Sequence, residues 1–508
     1  MLILAETEGW WIMIASRNKG TFILLAVLVL MMITITDLDA RIIHVAVNGN
    51  DSTGDGSEAN PYGGVQRAIR DTAPGDTIYV HEGEYLNEPR SGGYPMYGAP
   101  GQYVYLMGVP GEEKPVFAAS TTAAFTSITG GDNPPHHFVL QDLVYRKASP
   151  LVGSHCINIY GSTQNYPPVH DVIIDNCEFY QRSTNTQMIK MAGVDFFTIK
   201  NCTMNASNGT VIGMAGVGCH EGEVYNCRVD SCLQNGIEFK GGSSEIVIRN
   251  NVINMAYFTG INLGGDTDYE AFRPPLNIME EPTYEARGIH VFSNIIIDVT
   301  APLAFNTARD CKAYNNLIVV TDKTRSPSGL VETLGLLWIR HSGAGSVPTP
   351  SMNNLLANNI FYFREKEEYY PNVFWHLMVG DEGDHSDTHE FYNNLWYCFE
   401  DSSTSWASWD MNGQVAYPIV RDNVFGKDPL VQIDPDTGLP IAVNAVLLGG
   451  KGTYIAPPEG YEYRDFFGEE YTYPPPIGPF NMSYEPGAPP TPTSINRLTP
   501  WNLSGKTE

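Results

Sequence analysis

The sequence predicts an all-β chain wound into a parallel β-helix, a β-solenoid, and three observations carry that prediction. Asparagine recurs at 176, 201, 226 and 250, at spacings of 25, 25 and 24 residues. Each closes a short alternating segment: VIIDNC at 172–177, FTIKNC at 197–202, VYNC at 224–227 and IVIRNN at 246–251. The composition agrees. Of 508 residues 43% are hydrophobic and only 17% charged, and Gly, Asn, Thr, Val, Ile and Tyr outweigh helix-forming Lys and Glu. A chain this long would ordinarily divide into two or three domains, but a period in the twenties joins it into one solenoid.

Each coil of a solenoid adds strands to parallel sheets, about 4.8 Å above the coil before. Position n of one coil therefore lies over position n of the next. Ile, Val, Phe and Cys stack as interior columns, and Cys177, Cys202 and Cys227 fall in one such column. Asparagine at a recurrent bend can bond backbone and neighbouring amides up the stack. Asn294, Asn315, Asn358, Asn393 and Asn423 read as later members at wider, uneven intervals. The eight cysteines follow this stacking rather than the spacing of a disulfide scaffold.

The ends fit the same scheme. Residues 42–47 (IIHVAV) read as a strand and 48–51 as a turn. The amphipathic stretch 64–72 reads as a short helix capping the first coil, which would otherwise expose a sheet edge. The coils are expected over 41–455, and residues 456–508, rich in Pro and Tyr, as an irregular tail packed on them. At the start, Arg17 and Lys19 precede an apolar run over 21–36, with small and polar residues to Ala40. That layout predicts a secretory signal peptide over 1–40, with Met13 an alternative start. An uncleaved anchor has a run of similar length. Secretion is the expected destination. The net charge of −27 excludes nucleic acid and anionic membrane surfaces as partners. A polyanionic sugar is still admissible through a local basic patch or bound calcium.

Four segments carry a family resemblance: 47–51 (VNGND), 60–62 (NPY), 74–78 (PGDTI) and 83–85 (GEY). They resemble the opening of the pectate-lyase-like right-handed parallel β-helix superfamily, over roughly 41–480 of this chain. The resemblance implies the fold. It leaves function open, because the superfamily holds lyases, hydrolases, epimerases and proteins without catalysis.

One face of the repeat is the candidate site. The strands 189–192, 212–215, 237–240, 261–264, 303–306 and 337–340 align by their step back from the bend. Alternation turns their second and fourth members outward. One outer column then reads Lys190, Gly213, Glu238, Asn262, Ala304, Trp338, and the other Ala192, Ala215, Lys240, Gly264, Asn306, Arg340. Lys240 is expected on an open floor of small residues. Lys190, Asn262 and Asn306 are expected to contact a sugar chain, and Trp338 to stack on a ring. An insertion at 264–288 leaves from this face, carrying Asp266, Asp268, Glu270, Arg273, Glu280 and Glu281. It reads either as a wall of a cleft or as a solvated loop.

Residues 235–242 (NGIEFKGG) also resemble the segment around the catalytic lysine of family-nine pectate lyases, and loosely the lysine strand of alginate lyases. That resemblance implies β-elimination on a uronate-containing polysaccharide, with a neutral Lys240 as the base. Arg273 or Arg340 would offset the developing charge. Asp266, Asp268 and Glu270 would hold calcium, which prefers clustered oxygens. The sequence departs from the pattern in two places. The aspartate cluster before the lysine is reduced to Asp230, and 260–265 reads GINLGG where alginate lyases carry an arginine motif. Glu238 lies two residues from Lys240, roughly 6–7 Å along the strand, so the two also read as a surface ion pair. A glycoside hydrolase is the second class, with Glu238 paired to Asp266 or Asp268. A non-catalytic surface or binding β-helix is the third. The stretch 381–389 (DEGDHSDTH) reads as a metal site or a solvated loop.

Overall fold

The computed structural model describes residues 2–7, 10–15 and 40–481, apart from 87–95, 120–125, 130, 148–154, 162–166, 182–185, 207–210, 257, 276–283, 322–335, 341, 345–346, 365–376, 380–385, 401, 404–418 and 436. Two units separate, Met1–Arg41 and Ile42–Glu508. In the first, strands Leu2–Thr7 and Trp10–Ala15 pair antiparallel. The expected signal segment lies mostly outside the described residues. No helix among the described residues is long and apolar enough to cross a membrane.

The second unit is built from three long parallel sheets of 12, 9 and 15 strands. Successive strands of a sheet come from successive coils, and every coil-to-coil pairing in them is parallel. The interior is one continuous apolar column running from Ile43 to Cys398. Helix Val65–Arg70 closes its first end, burying Val65, Ala68 and Ile69 on that column. Rings stack in register, as Tyr145 on Phe179 at 5.3 Å and Phe361 on Trp396 at 3.7 Å. All eight cysteines are buried free thiols.

The recurrent asparagines resolve into two adjacent columns. Asn176, Asn201, Asn226, Asn250, Ser293, Asn315, Asn358, Asn393 and Asp422 take the left-handed conformation that turns the chain, with φ of 51–56°. The next residue of each coil points inward. In this second column Cys177, Cys202 and Cys227 give way to Asn251, Asn294, Asn316, Asn359, Asn394 and Asn423. Asn294 and Asn423 therefore belong to the buried column, one residue on from the bend where the periodicity had put them. Each buried Nδ2 donates to the next Oδ1 at 2.9–3.0 Å and to a carbonyl of the coil below. The ladder spans coils of 22 to 43 residues. Loop length can vary because the strands alone carry the stacking.

The last parallel strand is Val424–Phe425, short of the expected end of the coils at 455. The chain then forms an antiparallel pair, Val431–Ile433 with Pro440–Ala442, and a short helix Ala445–Leu448. Residues 453–481 run back along the bend column. Asn250 donates to the carbonyls of Asp465 and Phe466, Asn315 to those of Pro476 and Gly478, and Asn358 to that of Thr453. Phe466, Ile477 and Phe480 pack over Val252, Ile295, Leu317 and Ile360 on the outer face of the 12-stranded sheet.

Candidate functional site

The candidate face is the outer side of the nine-stranded sheet. Its register pairs Asn158 with Lys190, Lys190 with Ala215, Ala215 with Glu238 and Glu238 with Asn262. Asn262 then pairs with Ala304, and Ala304 with Trp338. The second column runs Tyr160, Ala192, Val217, Lys240, and later Gly264, Asn306, Arg340. The expected alignment was thus two residues off in one coil, where Ala215 and Val217 take the places assigned to Gly213 and Ala215. Strand Val211–Val217 has seven residues, and a period-two pattern cannot distinguish a two-residue slip.

The floor is covered rather than open. Ala215, Glu238, Asn262, Ala304 and Asn306 are all buried, while Lys190 and Lys240 are partly exposed. Trp338 is only 5% exposed and packs edge-on against Phe258 at 5.7 Å, so no sugar ring can stack on it. Tyr160, 46% exposed in the Lys240 column, is an aromatic that this face presents. Composition gave it no prominence among 28 tyrosines, and extra residues between its strand and the Asn176 bend put it out of step with the alignment.

Glu238 is the hub. Its Oε1 accepts from Asn235 Nδ2 at 2.8 Å and Asn262 Nδ2 at 2.9 Å, and its Oε2 lies 4.0 Å from Lys240 Nζ. Thr259 Oγ1 fixes Asn235 in turn. Lys240 Nζ also donates to the Asp266 carbonyl at 3.3 Å, where the insertion folds over it. Gly264 makes that fold possible. Its φ is +99°, and a Cβ there would lie 1.7 Å from the Asn306 carbonyl oxygen. The side-chain oxygens of Asn262 and Asn306 are buried with no hydrogen-bond partner among the described residues.

Lys190 lies two coils below Glu238, roughly 10 Å along the column, with only Ala215 between. It makes no hydrogen bond or ion pair among the described residues. Burial, and then the charge of Lys240, hold its ammonium below the usual lysine range.

Glu285 is a site residue that spacing did not reveal. It is fully buried, accepting from Gly241 N at 2.6 Å, Thr267 N at 2.9 Å and Thr267 Oγ1 at 2.6 Å. Burial raises its carboxyl to about 7. It therefore ties the glycine turn after Lys240 to the insertion. The only hint in sequence was its place inside the insertion, where several other acids drew attention first.

The remaining expected residues scatter. The Arg273 guanidinium is held by both carboxylate oxygens of Asp195 and by the Gly218 carbonyl at 2.9 Å, so it is committed to a structural ion pair. Arg340 pairs by backbone with Asn306, and its side chain lies outside the described residues. Asp266, Asp268 and Glu270 are exposed on the insertion, and Glu280 and Glu281 lie outside the described residues. Among the described residues, metal-ligating side chains converge at one place, His137, His170 and Asp171, and that place lies on another sheet. The expected calcium trio does not form such a cluster among the described residues; its members are spread along an exposed stretch, Glu270 within the 3-10 turn Tyr269–Ala271. Of the stretch 381–389, residues 381–385 lie outside the described residues. His389 is buried and accepts from Asn354 N at 3.2 Å, which makes it a core residue.

A family model for a right-handed β-helix region matches residues 146–272, the coils that carry Lys190 and Lys240. No curated protein matches the chain. Among solved structures, pectate lyase Pel9A aligns at 14% identity with a TM-score of 0.50, over 87% of this chain and 96% of that one. The lacto-N-biosidase GH136 of Eubacterium ramulus aligns at 10% identity and TM-score 0.46, over 76% of this chain and 68% of that one. The A-module of the mannuronan C-5 epimerase AlgE6 of Azotobacter vinelandii aligns at 13% and 0.44, over 71% and 93%. In fold, the chain is a right-handed parallel β-helix.

Proposed function

We propose that this protein is a secreted carbohydrate-active β-helix that cleaves a uronate-containing polysaccharide by β-elimination at the Lys190–Lys240 face. The observation that carries the reading is a lysine pair on one outer face, with the Lys190 ammonium held below its usual range by burial and by Lys240. β-Elimination needs a neutral amine to take the proton α to the carboxylate, and a cation to hold the enolate. The pair divides these tasks. Lys190 is the base. Lys240, anchored by Glu238 and the Asp266 carbonyl, is the fixed cation. This exchanges the expected roles, in which the family resemblance made Lys240 the base and the outward column made Lys190 a binding residue. Tyr160 offers an exposed ring for a sugar, and Asn158 lies beside Lys190 in the next coil.

A hydrolase would need two carboxylates facing one cleft. Glu285 titrates suitably for an acid, but it is fully buried with both oxygens engaged, and Glu238 is buried among amides. The lysine pair is the better fit. A single assay tests it. The mature protein is incubated with uronate polysaccharides, with and without calcium because Asp266, Asp268 and Glu270 are oxygen donors on the insertion, and the unsaturated product is read in the ultraviolet. Lys190→Arg keeps the charge but removes the base, and is expected to lower kcat by about 10²–10⁴. Lys240→Arg keeps its role and much of the rate. Product release unaffected by Lys190→Arg would discard this base. No product from any substrate would leave a binding or structural β-helix.

A further inference from the structure

We infer that His137, His170 and Asp171 form a binding site for a divalent transition metal, of the zinc type, separate from the lysine face. Each residue offers one ligand atom, and these atoms lie within 4.8 Å of one another. His137 Nε2 and Asp171 Oδ2 are 3.5 Å apart, close to the ligand separation of about 3.3 Å that a tetrahedral ion with bonds of about 2.0 Å requires. His170 Nδ1 lies 2.7 Å from the same carboxylate oxygen, somewhat closer than that separation.

The scaffold holds these groups in place. His136 pairs with His170 across neighbouring coils, which puts His137 over Asp171. His137 and Asp171 share the left-handed bend conformation, with φ of 51° and 55°. The rings of His136 and His170 stack at 5.1 Å with planes 8° apart, and the His137 ring stands nearly perpendicular to both. His137 is 9% exposed. Its other nitrogen, Nδ1, lies 3.2 Å from His136 Nδ1. That is the outer hydrogen bond that a metal-bound imidazole uses to fix its tautomer. Tyr103 Oη, 3.5 Å from Asp171 Oδ1, holds the carboxylate from the far side. The site ends with these two coils. In the next coil the paired positions are Asp195, already engaged by Arg273, and Phe196.

Two imidazoles and one carboxylate suit zinc, cobalt or nickel and not calcium, which takes oxygen ligands. The full chain is stripped with chelator and titrated with Co²⁺, whose visible d–d bands report coordination, and then with Zn²⁺ against a chromogenic competitor. One equivalent of metal is expected, with bands characteristic of nitrogen and oxygen donors. His170→Gln and Asp171→Asn abolish uptake, and His220→Gln, in the same sheet but outside the cluster, leaves it intact. His136→Gln weakens it by about 10–100-fold, as loss of an outer hydrogen bond does. Circular dichroism verifies that each variant is folded. Asp171, partly exposed, serves as the deciding position if a histidine variant does not fold. Absence of stoichiometric uptake, or uptake unchanged in Asp171→Asn and His170→Gln, overturns the site.

Discussion

At the scale of single residues, the candidate face is governed by two ionisable groups, the half-buried Lys190 and the fully buried Glu285. Lys190 gains no hydrogen-bonding partner among the described residues in exchange for its lost water, and burial shifts its titration toward the neutral form. If it is the base, lyase rate rises with pH and levels off below the range of about 10.4 where an ordinary lysine titrates. A pH–rate profile of wild type against Lys240→Ala checks the cause, since removing the neighbouring charge should move the plateau to higher pH. Glu285 is the converse case. Its folded carboxyl titrates at about 7, against about 4.3 in an unfolded chain. The folded state thus binds the proton more tightly. The stabilisation is full below about pH 4 and is lost as pH rises towards 7, on the order of 3 kcal/mol in all. Glu285→Gln is expected to flatten that slope while lowering stability at acid pH, because an amide offers one acceptor where three donors converge. Melting temperatures from pH 4 to 8 read both effects.

At the scale of elements, one column changes its chemistry along the molecule. In the lower coils the inward position is cysteine, whose thiol reaches back to a carbonyl two residues before it, at 3.4 Å for Cys177 and 3.1 Å for Cys202. In the upper coils it is asparagine, which adds a coil-to-coil amide ladder. Asn316 accepts from Asn294 N and Nδ2 and donates to Asn359 and to two carbonyls. Asn316→Ala leaves several buried groups unpaired and is expected to cost about 3 kcal/mol. Asn316→Cys should cost less, because the lower coils already place a thiol at this position. Urea denaturation of the two variants ranks them, and an Asn316→Cys chain as stable as wild type would show that the ladder adds nothing beyond packing.

At the scale of the whole molecule, the tail is a strap rather than an appendage. It satisfies the bend amides of Asn250, Asn315 and Asn358 and covers the apolar outer face of the 12-stranded sheet. Phe480→Ala is expected to lower stability by about 3 kcal/mol. Removal of residues 453–508 should expose the Val252–Ile295–Leu317–Ile360 face, lower the melting temperature and raise binding of an apolar dye. A truncated chain that melts like wild type would mean that the strap is dispensable.

The sequence by itself determined the solenoid, its capping helix and the inward and outward alternation of its strands. These follow from periods of about 25 and of two, which are local properties of the chain. It also pointed to the Lys240 strand and to the insertion beside it. Tertiary structure decided what alternation cannot carry. Strand register was settled only where loops let Ala215, and not Gly213, pair with Lys190 and Glu238. Burial was settled only by what lies over each column, which removed Trp338 from the surface and left Tyr160 there. Charge partners were settled by approach between distant segments: Arg273 went to Asp195, Glu285 went beneath the glycine turn, and His136 and His170, 34 residues apart in sequence, came together on neighbouring coils. A repeat tells which residues share a column, because stacking is periodic. Which neighbours they meet depends on irregular loops, and those obey no period.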